Sequence, residues 1–298
     1  MSSSYLEATA RERILAVLDA GSFVELLPPA QRVVSPHLGQ LDAPVSFDDG
    51  VIIGEGTLGG QPVMAAAQEG GFMGGAVGEV HGAKLVGLLK RAIRKKAAGV
   101  VLLLETGGVR LHEANAGLIA VSEVMRAVLD ARAAGIPVLV LVGGANGCFG
   151  GMGIVARCAN TVIMSEEGRL AMSGPEVIET ANGVEEFDSR DRALVWRTTG
   201  GKHRYLIGDC QTLVNDDAEA FRDAAIAALQ AAVSPALTLQ ALEAEQEMLR
   251  RRIATFGHAE DPMDIWAELG VPQPEAVPML EAAAFTAMAD AHRIPFNA

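Results

Sequence analysis

The stretch Val100-Val-Leu-Leu-Leu-Glu-Thr-Gly-Gly-Val-Arg-Leu-His-Glu113 decides the fold of this chain. Its apolar run, Val100 to Leu104, ends just before two adjacent glycines and gives way to a helix-like pattern. This order predicts a buried strand that feeds a helix through a backbone loop. Because glycines have no side chains and the amides at a helix start are free, the loop predicts a site for a negatively charged oxygen.

The same arrangement occurs a second time. A further apolar run, Val138 to Val142, is followed by Gly147-Cys-Phe-Gly-Gly-Met-Gly153. A strand-end double glycine is by itself more often a tight turn, so the residues alone leave a structural and a chemical interpretation open.

Strands and helices alternate around these two stretches. Val51 to Gln68 predicts two strands joined at Gly59-Gly60. A glycine-rich loop then leads into a helix, and the strand–loop–helix order repeats up to the short strands predicted at Thr161–Met164 and Arg169–Met172. This order is typical of an α/β fold that carries its chemistry on strand-end loops.

The two ends of the chain differ from this middle part. A helical pattern near the start is followed by a loop with Pro28, Pro29, Pro36 and Pro44, whereas the chain from about Asp216 onward is alanine-rich and helical in period. We expect an N-terminal helix and loop at residues 1–50, an α/β core at 51–217 and a helical C-terminal region at 218–298.

Composition disfavours several protein classes. No window approaches the ~18 apolar residues of a membrane span, and the first residues do not resemble a secretion signal, so we expect a cytoplasmic protein. A net charge of −13 disfavours nucleic acid as a partner. Cys148, Cys158 and Cys210 are odd in number and unevenly spaced, which disfavours a disulfide framework and a four-ligand zinc site and predicts thiols that are reduced and mostly buried. No metal-ligand spacing appears, so we predict no metal.

One basic cluster departs from the acidic average. It is either the solvated face of a helix or a patch that meets the phosphates of a nucleotide-like ligand or an acidic carrier protein. Its members are Lys84, Lys90, Arg91, Arg94, Lys95 and Lys96.

An ordered set of motifs resembles the carboxyltransferase branch of the crotonase-like superfamily. Resemblance to the β subunits of biotin-dependent acetyl-CoA carboxylases covers residues 51–217, and the whole chain most resembles the β subunits of biotin-independent malonate decarboxylases. The motifs are Gly54-Glu-Gly-Thr-Leu-Gly-Gly-Gln-Pro-Val63, Phe72-Met-Gly-Gly75, Gly107-Gly-Val-Arg-Leu-His-Glu113, Gly150-Gly151 and Ser173-Gly-Pro-Glu-Val-Ile-Glu179.

The resemblance implies a ClpP/crotonase-type spiral of strand–strand–helix units and a homologous γ subunit as partner. It implies a carboxy-lyase that converts a malonyl thioester into carbon dioxide and an acetyl thioester. The thioester would be carried by an acyl carrier subunit on a phosphoribosyl-dephospho-CoA prosthetic group, with no permanently bound cofactor and no biotin. The four-cysteine zinc ribbon of carboxylase β subunits has no counterpart before Val51, which favours the decarboxylase.

The reaction explains why backbone loops are needed. Loss of carbon dioxide leaves a carbanion whose charge moves to the thioester oxygen, and preorganised N–H donors hold such an oxygen. The resemblance implies that both glycine loops supply these donors. The predicted catalytic residues are Gly107, Gly108, Val109, Gly150 and Gly151.

A third glycine-rich segment is expected to bind substrate. It would line the channel for the pantetheine arm, or it is an ordinary apolar loop. Arg110 would pair with a phosphate or carboxylate, or with Glu113 to hold its own loop. The predicted substrate-binding residues are Gly71, Phe72, Met73, Gly74, Gly75 and Arg110.

The proton donor is left open. His81, His112, Glu113 and His203 are candidates by residue type, and the γ subunit or water could serve instead. Cys148 has no evident base, which favours a core thiol over a nucleophile.

Two alternatives to the decarboxylase remain. One is the β-type half of a biotin-dependent acyl-CoA carboxyltransferase, and the other is a non-catalytic scaffold that docks the carrier.

Overall fold

The computed structural model describes residues 4–31, 33–40, 50–231 and 237–294. Pro44 of the predicted proline-rich loop lies outside these residues. The same holds for two pieces of the predicted C-terminal helical region, residues 232–236 and 295–298.

The described strands form one seven-stranded sheet whose order follows the chain. The first three strands are antiparallel, and the third to the seventh are parallel. Gly59 and Gly60, both at positive φ, make the predicted hairpin turn. The strands are β1 Val24–Leu26, β2 Val51–Leu58, β3 Gln61–Gln68, β4 Gly99–Leu103, β5 Val138–Val142, β6 Thr161–Ser165 and β7 Thr212–Val214.

Helices occupy the connections and the C-terminal region. Thr9 caps the first helix, and Pro175 is the first residue of the sixth. The α-helices are α1 Ala10–Val17, α2 Pro36–Gln40, α3 Glu79–Lys95, α4 Asn115–Ala133, α5 Gly151–Cys158, α6 Pro175–Asn182, α7 Arg192–Thr199, α8 Gly201–Leu206, α9 Ala218–Ala231, α10 Leu239–Phe256, α11 Pro262–Glu268 and α12 Ala282–Ala289. Short 3-10 helices lie at Pro29–Gln31, Met73–Gly75, Leu111–Glu113 and Pro274–Met279.

Each of the strands β3 to β6 is followed by a short bridged segment and then by a helix. Helices α3, α4 and α5 connect β3 to β6 and pack against one another in order. The short segments pair through isolated bridges at Val77–Val109, Thr106–Cys148 and Cys148–Leu170. The predicted spiral of strand–strand–helix units is therefore confirmed. Arg169–Met172 is not a continuous strand as predicted, because only its first two residues are bridged.

The central strands are buried on both faces. Val100 and Leu102 pack in one hydrophobic cluster, under α3, α4 and α5. Val101 and Leu103 pack in the other cluster, under α1 and α9. Burial on both faces explains why β4 is a continuous apolar run without alternation.

The expected helical C-terminal region is present. Phe221 of α9 packs beneath the sheet together with α1. Trp266 of α11 and Phe285 of α12 join the cluster on the opposite face. Among the residues described, no helix has both the length and the hydropathy that crossing a membrane requires. The segment boundaries near residues 50 and 217 stay predictions.

Truncating Leu102 to Ala should lower the free energy of unfolding by about 2–5 kcal/mol, because its side chain is fully buried and a cavity would remain. Urea denaturation followed by circular dichroism measures the change. Leu15→Ala on α1 is the control, since Leu15 is 52% exposed. Equal destabilisation by the two variants would contradict the assignment of β4 to the core.

Candidate active site

Three glycine-rich loops lie side by side where β3, β4 and β5 end. The N–H of Gly107 donates to the carbonyl of Gly74 (2.8 Å), which joins the first and second loops. The N–H of Thr106 donates to the carbonyl of Gly147 (2.8 Å), which joins the second and third loops. Because parallel strands end at the same edge of a sheet, segments far apart in sequence form one surface here.

The second and third loops meet at backbone contact. A Cβ atom added to Gly150 would lie 2.9 Å from the Cα of Gly108 and 3.8 Å from the nitrogen of Val109. Both glycines have positive φ, +63° at Gly150 and +131° at Gly108. Side chains would be strained at both positions, so this contact requires glycine. The two predicted oxyanion loops thus lie in direct contact.

Hydrogen bonds leave one amide available in the second loop. The N–H of Gly107 is used by Gly74, and the N–H of Gly108 donates to the hydroxyl of Thr106 (3.0 Å). The same hydroxyl donates to the carbonyl of Gly108 (3.1 Å). Thr106 therefore holds Gly108 through both its N–H and its carbonyl group. The N–H of Val109 has no acceptor among the residues that the structure describes.

The third loop also leaves an amide available. The N–H of Gly150 donates to the carbonyl of Met172 (2.8 Å). Gly151 is the first residue of α5, and its N–H has no acceptor within the described ranges of the chain. The N-terminus of a helix carries partial positive charge, which favours an anion. Of the five predicted catalytic residues, Val109 and Gly151 therefore present donors, and the other three shape the loops.

A buried ion pair lies beneath the loops. Glu105, at the end of β4, pairs with Arg13 of α1, and both are at least 95% buried. Glu105 Oε1 also accepts the N–H of Asn146 (3.0 Å), while Arg13 Nε donates to the carbonyl of Tyr5 (2.7 Å). No local sequence pattern indicates this pair, because its members are 92 residues apart in the chain.

Arg110 lies inside the protein. Its Nη1 donates to Glu113 Oε1 (2.8 Å), and Nη2 donates to the carbonyl of Ala76 (3.1 Å). Glu113 Oε2 accepts the N–H of Glu79 (2.6 Å), and both members of the pair are at least 98% buried. Of the two alternatives for Arg110, pairing with Glu113 is observed. Contact of Arg110 with substrate stays a prediction.

The first loop contains both packed and accessible residues. Phe72 is buried, with its ring centroid 5.3 Å from the guanidinium carbon of Arg110. A Cβ on Gly75 would lie 2.0 Å from the carbonyl oxygen of Glu105, so this position requires glycine. Gly71 and Gly74 are exposed and Met73 is half-buried. The role of this loop in substrate binding stays a prediction.

Two of the four candidate proton donors are fixed in buried pairs. Glu113 is bonded to Arg110 as described above. His81 Nε2 lies 3.0 Å from the side-chain nitrogen of Gln68, whose oxygen accepts the N–H of Glu105. The amide nitrogen must donate, so His81 Nε2 is an acceptor and carries no proton.

The other two histidines differ in exposure. His203 is buried, and its Nδ1 accepts from the indole N–H of Trp266 (3.2 Å). Burial lowers the pKa of His203 from 6.5 to about 3. His112 follows the second loop and is exposed.

Cys148 and Cys210 are buried thiols of the core, whereas Cys158 is half-buried. Burial raises the pKa of Cys148 far above its ordinary value, and raises that of Cys210 to about 12. Such thiols are protonated and poor nucleophiles. In the described part of the chain, no three His, Cys, Asp or Glu side chains gather to hold a metal ion.

The basic cluster on α3 divides into two sets. Arg91 and Lys95 pair with Glu55, and Lys84 donates to the carbonyl of Val51 (2.7 Å). The remaining three, Lys90, Arg94 and Lys96, are exposed.

A cavity of about 590 Å³ lies beside α3. Its described lining is mainly apolar and includes none of the predicted site residues. The lining residues are Leu26, Leu27, Val33, Ile53, Glu79, Val80, Ala83, Lys84, Gly87, Leu88 and Arg91.

Exposed apolar side chains surround the glycine loops. Leu111 is 86% exposed, Met172 is 68% exposed, and Leu118 and Ile119 in the first turns of α4 are similarly exposed. These four residues are called the apolar rim below. The first turn of α4 adjoins the site, because a Cβ on Gly117 would lie 2.7 Å from Val109 Cγ1.

The chain is similar in sequence to proteins of one known family. Residues 7–235 match the model of the carboxyl transferase domain family. The chain is 41% identical over 292 residues to the malonyl-S-ACP:biotin-protein carboxyltransferase MADC of Malonomonas rubra, covering 92% of both chains.

Two solved structures are also similar. A chain of the Pseudomonas malonate decarboxylase hetero-tetramer in complex with malonate is 41% identical, with a TM-score of 0.79 over 88% of this chain and 95% of that one. A chain of the Pseudomonas malonate decarboxylase MdcD-MdcE hetero-dimer is 38% identical, with a TM-score of 0.66 over 83% of this chain and 96% of that one.

Stability should depend on pH through His203. Between about pH 3 and 6.5 the unfolded chain binds a proton that the folded chain excludes, so the free energy of unfolding should rise with pH. The slope is at most roughly 1.4 kcal/mol per pH unit. His203→Gln keeps an acceptor for the indole and should remove this contribution in urea titrations across that range. His112→Gln is the control, and an unchanged slope in His203→Gln would contradict the assignment.

Proposed function

The chain belongs to the carboxyl transferase domain family, and on that premise we propose that it is the catalytic β subunit of a malonate decarboxylase. Family membership confirms the resemblance seen in the sequence. The proposed substrate is a malonyl thioester on an acyl carrier subunit, and the products are an acetyl thioester and carbon dioxide. The observation that carries the proposal is the pair of available amides, Val109 and Gly151, on two loops in backbone contact.

The proposed reaction needs hydrogen-bond donors to the thioester oxygen and a proton for the methylene carbon. The bond between the carboxylate and the methylene carbon breaks, carbon dioxide leaves, and the electron pair moves toward the thioester oxygen. The N–H groups of Val109 and Gly151 donate to that oxygen, and the positive end of α5 adds to the stabilisation. Protonation of the methylene carbon then gives the acetyl thioester.

Fixed amides suit this task because they are oriented before the reaction starts. Thr106 holds the Gly108 peptide on both sides, and the bridges between loops fix their separation. One such donor is worth roughly 3–4 kcal/mol of transition-state stabilisation. The main chain can therefore supply most of the catalysis without an acid–base pair of side chains.

The partner we propose is a homologous γ subunit. The apolar rim would be covered by that subunit, since apolar patches next to a polar site mark interaction surfaces. The two similar structures are hetero-oligomers, which supports a site completed by a second chain. The proton donor would then come from the γ subunit, from water or from His112.

The exposed basic residues of α3 suit the carrier. Lys90, Arg94 and Lys96 offer charges to the phosphates of a phosphoribosyl-dephospho-CoA group or to an acidic carrier surface. The group would arrive as part of the substrate, so the chain itself would hold no permanent cofactor.

A second candidate function is transfer of the carboxyl group to a biotin protein. It is favoured by the 41% identity to a relative whose name describes that transfer. The same amides would stabilise the same enolate, so the two functions differ only in where the carboxyl group goes. A carrier-docking scaffold is the third alternative, and it would not need the two amides.

Val109→Pro should lower turnover by about 100-fold or more, because proline removes the N–H that would hold the oxygen. The neighbouring bonds, from Val77 to Gly108 and from Arg110 to Val77, do not use this N–H. Val109→Ala keeps it and is the matched control. Turnover is measured together with circular dichroism and partner binding. Unchanged turnover by a folded, assembled Val109→Pro protein would support the scaffold.

Carbon dioxide release from a malonyl thioester tests the function itself. We expect release that depends on the partner subunit and is unaffected by avidin. Inhibition by avidin, or release only after a biotinylated carrier is added, would replace the decarboxylase with the carboxyltransferase to biotin.

A further inference from the structure

Helix α10 presents an apolar stripe that the described part of the chain leaves exposed. Of its 18 residues, all within the described part of the chain, Met248 alone is buried. The stripe consists of Leu239, Leu242, Leu249 and Ile253, exposed by 72%, 53%, 37% and 73%. Their spacing of three, seven and four residues places them on one helix face, as in the a and d positions of a coiled coil.

The helix contacts the rest of the described chain on a different face. Met248 packs inward, and Arg252 donates to Asp209 (3.1 Å) and to the carbonyl of Ile207 (2.6 Å). At 100° per residue, the centre of the apolar stripe lies about a third of a turn away from the face that carries Met248 and Arg252. The stripe is thus presented to the outside.

Charge on α10 is divided between its two halves. Glu243, Glu245 and Glu247 lie in the first half, and Arg250, Arg251 and Arg252 lie in the second. This order suits the helix dipole, but the dipole does not explain why the apolar side chains of the stripe are exposed. Reversing the direction of the helix exchanges the two signs, so the surface is complementary to an antiparallel copy of itself.

We propose that α10 pairs antiparallel with α10 of a second copy of this chain, around a two-fold axis. The register we propose places Leu242 opposite Ile253 of the second copy and Gln246 opposite Leu249 of the second copy. The flanking residue Glu243 faces Arg250 of the second copy, and two-fold symmetry forms this ion pair twice. An antiparallel second copy of α10 has basic residues opposite the acidic half and acidic residues opposite the basic half, whereas an unrelated helix need not have this order. Charge complementarity therefore favours a second copy as the partner.

The test reverses the charges one at a time and then together, in the full chain alone and bound to its partner subunit. Glu243→Arg and Arg250→Glu should each weaken self-association about tenfold, since two like-charged contacts replace two ion pairs. The double variant should restore the wild-type dissociation constant. Sedimentation velocity over a concentration series measures these constants.

Matched controls separate pairing from folding. Leu249→Glu should abolish self-association, whereas Leu15→Glu, at an exposed position of α1, should leave self-association unchanged. Within the helix, Arg250 Nη1 lies 3.3 Å from Glu247 Oε2. Glu247→Gln removes this ion pair without altering the proposed one between the two copies, so it should change self-association little. A monomeric wild type, or a double variant that fails to recover, overturns the proposal. So does Leu249→Glu if it disrupts binding to the partner subunit instead of self-association.

Discussion

The structure of the site depends on one steric constraint, the passage of two strand-end loops at backbone contact. Gly108 and Gly150 approach closely enough that a Cβ on either side of the contact is strained or crowded. The constraint keeps the segments that carry Val109 and Gly151 side by side. A side chain at the contact would separate the two loops, and the proposed binding of one oxygen by both amides depends on this contact.

Buried polar groups keep that contact in place. Glu105 and Arg13 connect the end of β4 to α1 on one face of the sheet, while Arg110 and Glu113 fix the start of α3 behind the second loop. Such pairs add little net stability, but breaking one leaves a buried charge and costs about 3–5 kcal/mol. Their effect is geometric, because they fix the loops to rigid elements on both sides of the sheet.

The surface of the chain agrees with an assembled protein. The apolar rim adjoins the site, and α10 carries a second apolar stripe flanked by ordered charge. Two of the four candidate proton donors are fixed in buried pairs and a third, His203, is buried, which is consistent with the proposed reaction being completed at an interface.

The sequence by itself determined the α/β class, the β2–β3 hairpin, the strand-end glycine loops and the helical C-terminal region, because these follow from local apolar runs and turn residues. Contacts between distant segments were decided only by the tertiary structure. Which amides remain available and why Arg110 is paired inside both depend on neighbours from other elements. Local patterns encode elements, whereas a hydrogen-bond partner 92 residues away is set by how those elements pack.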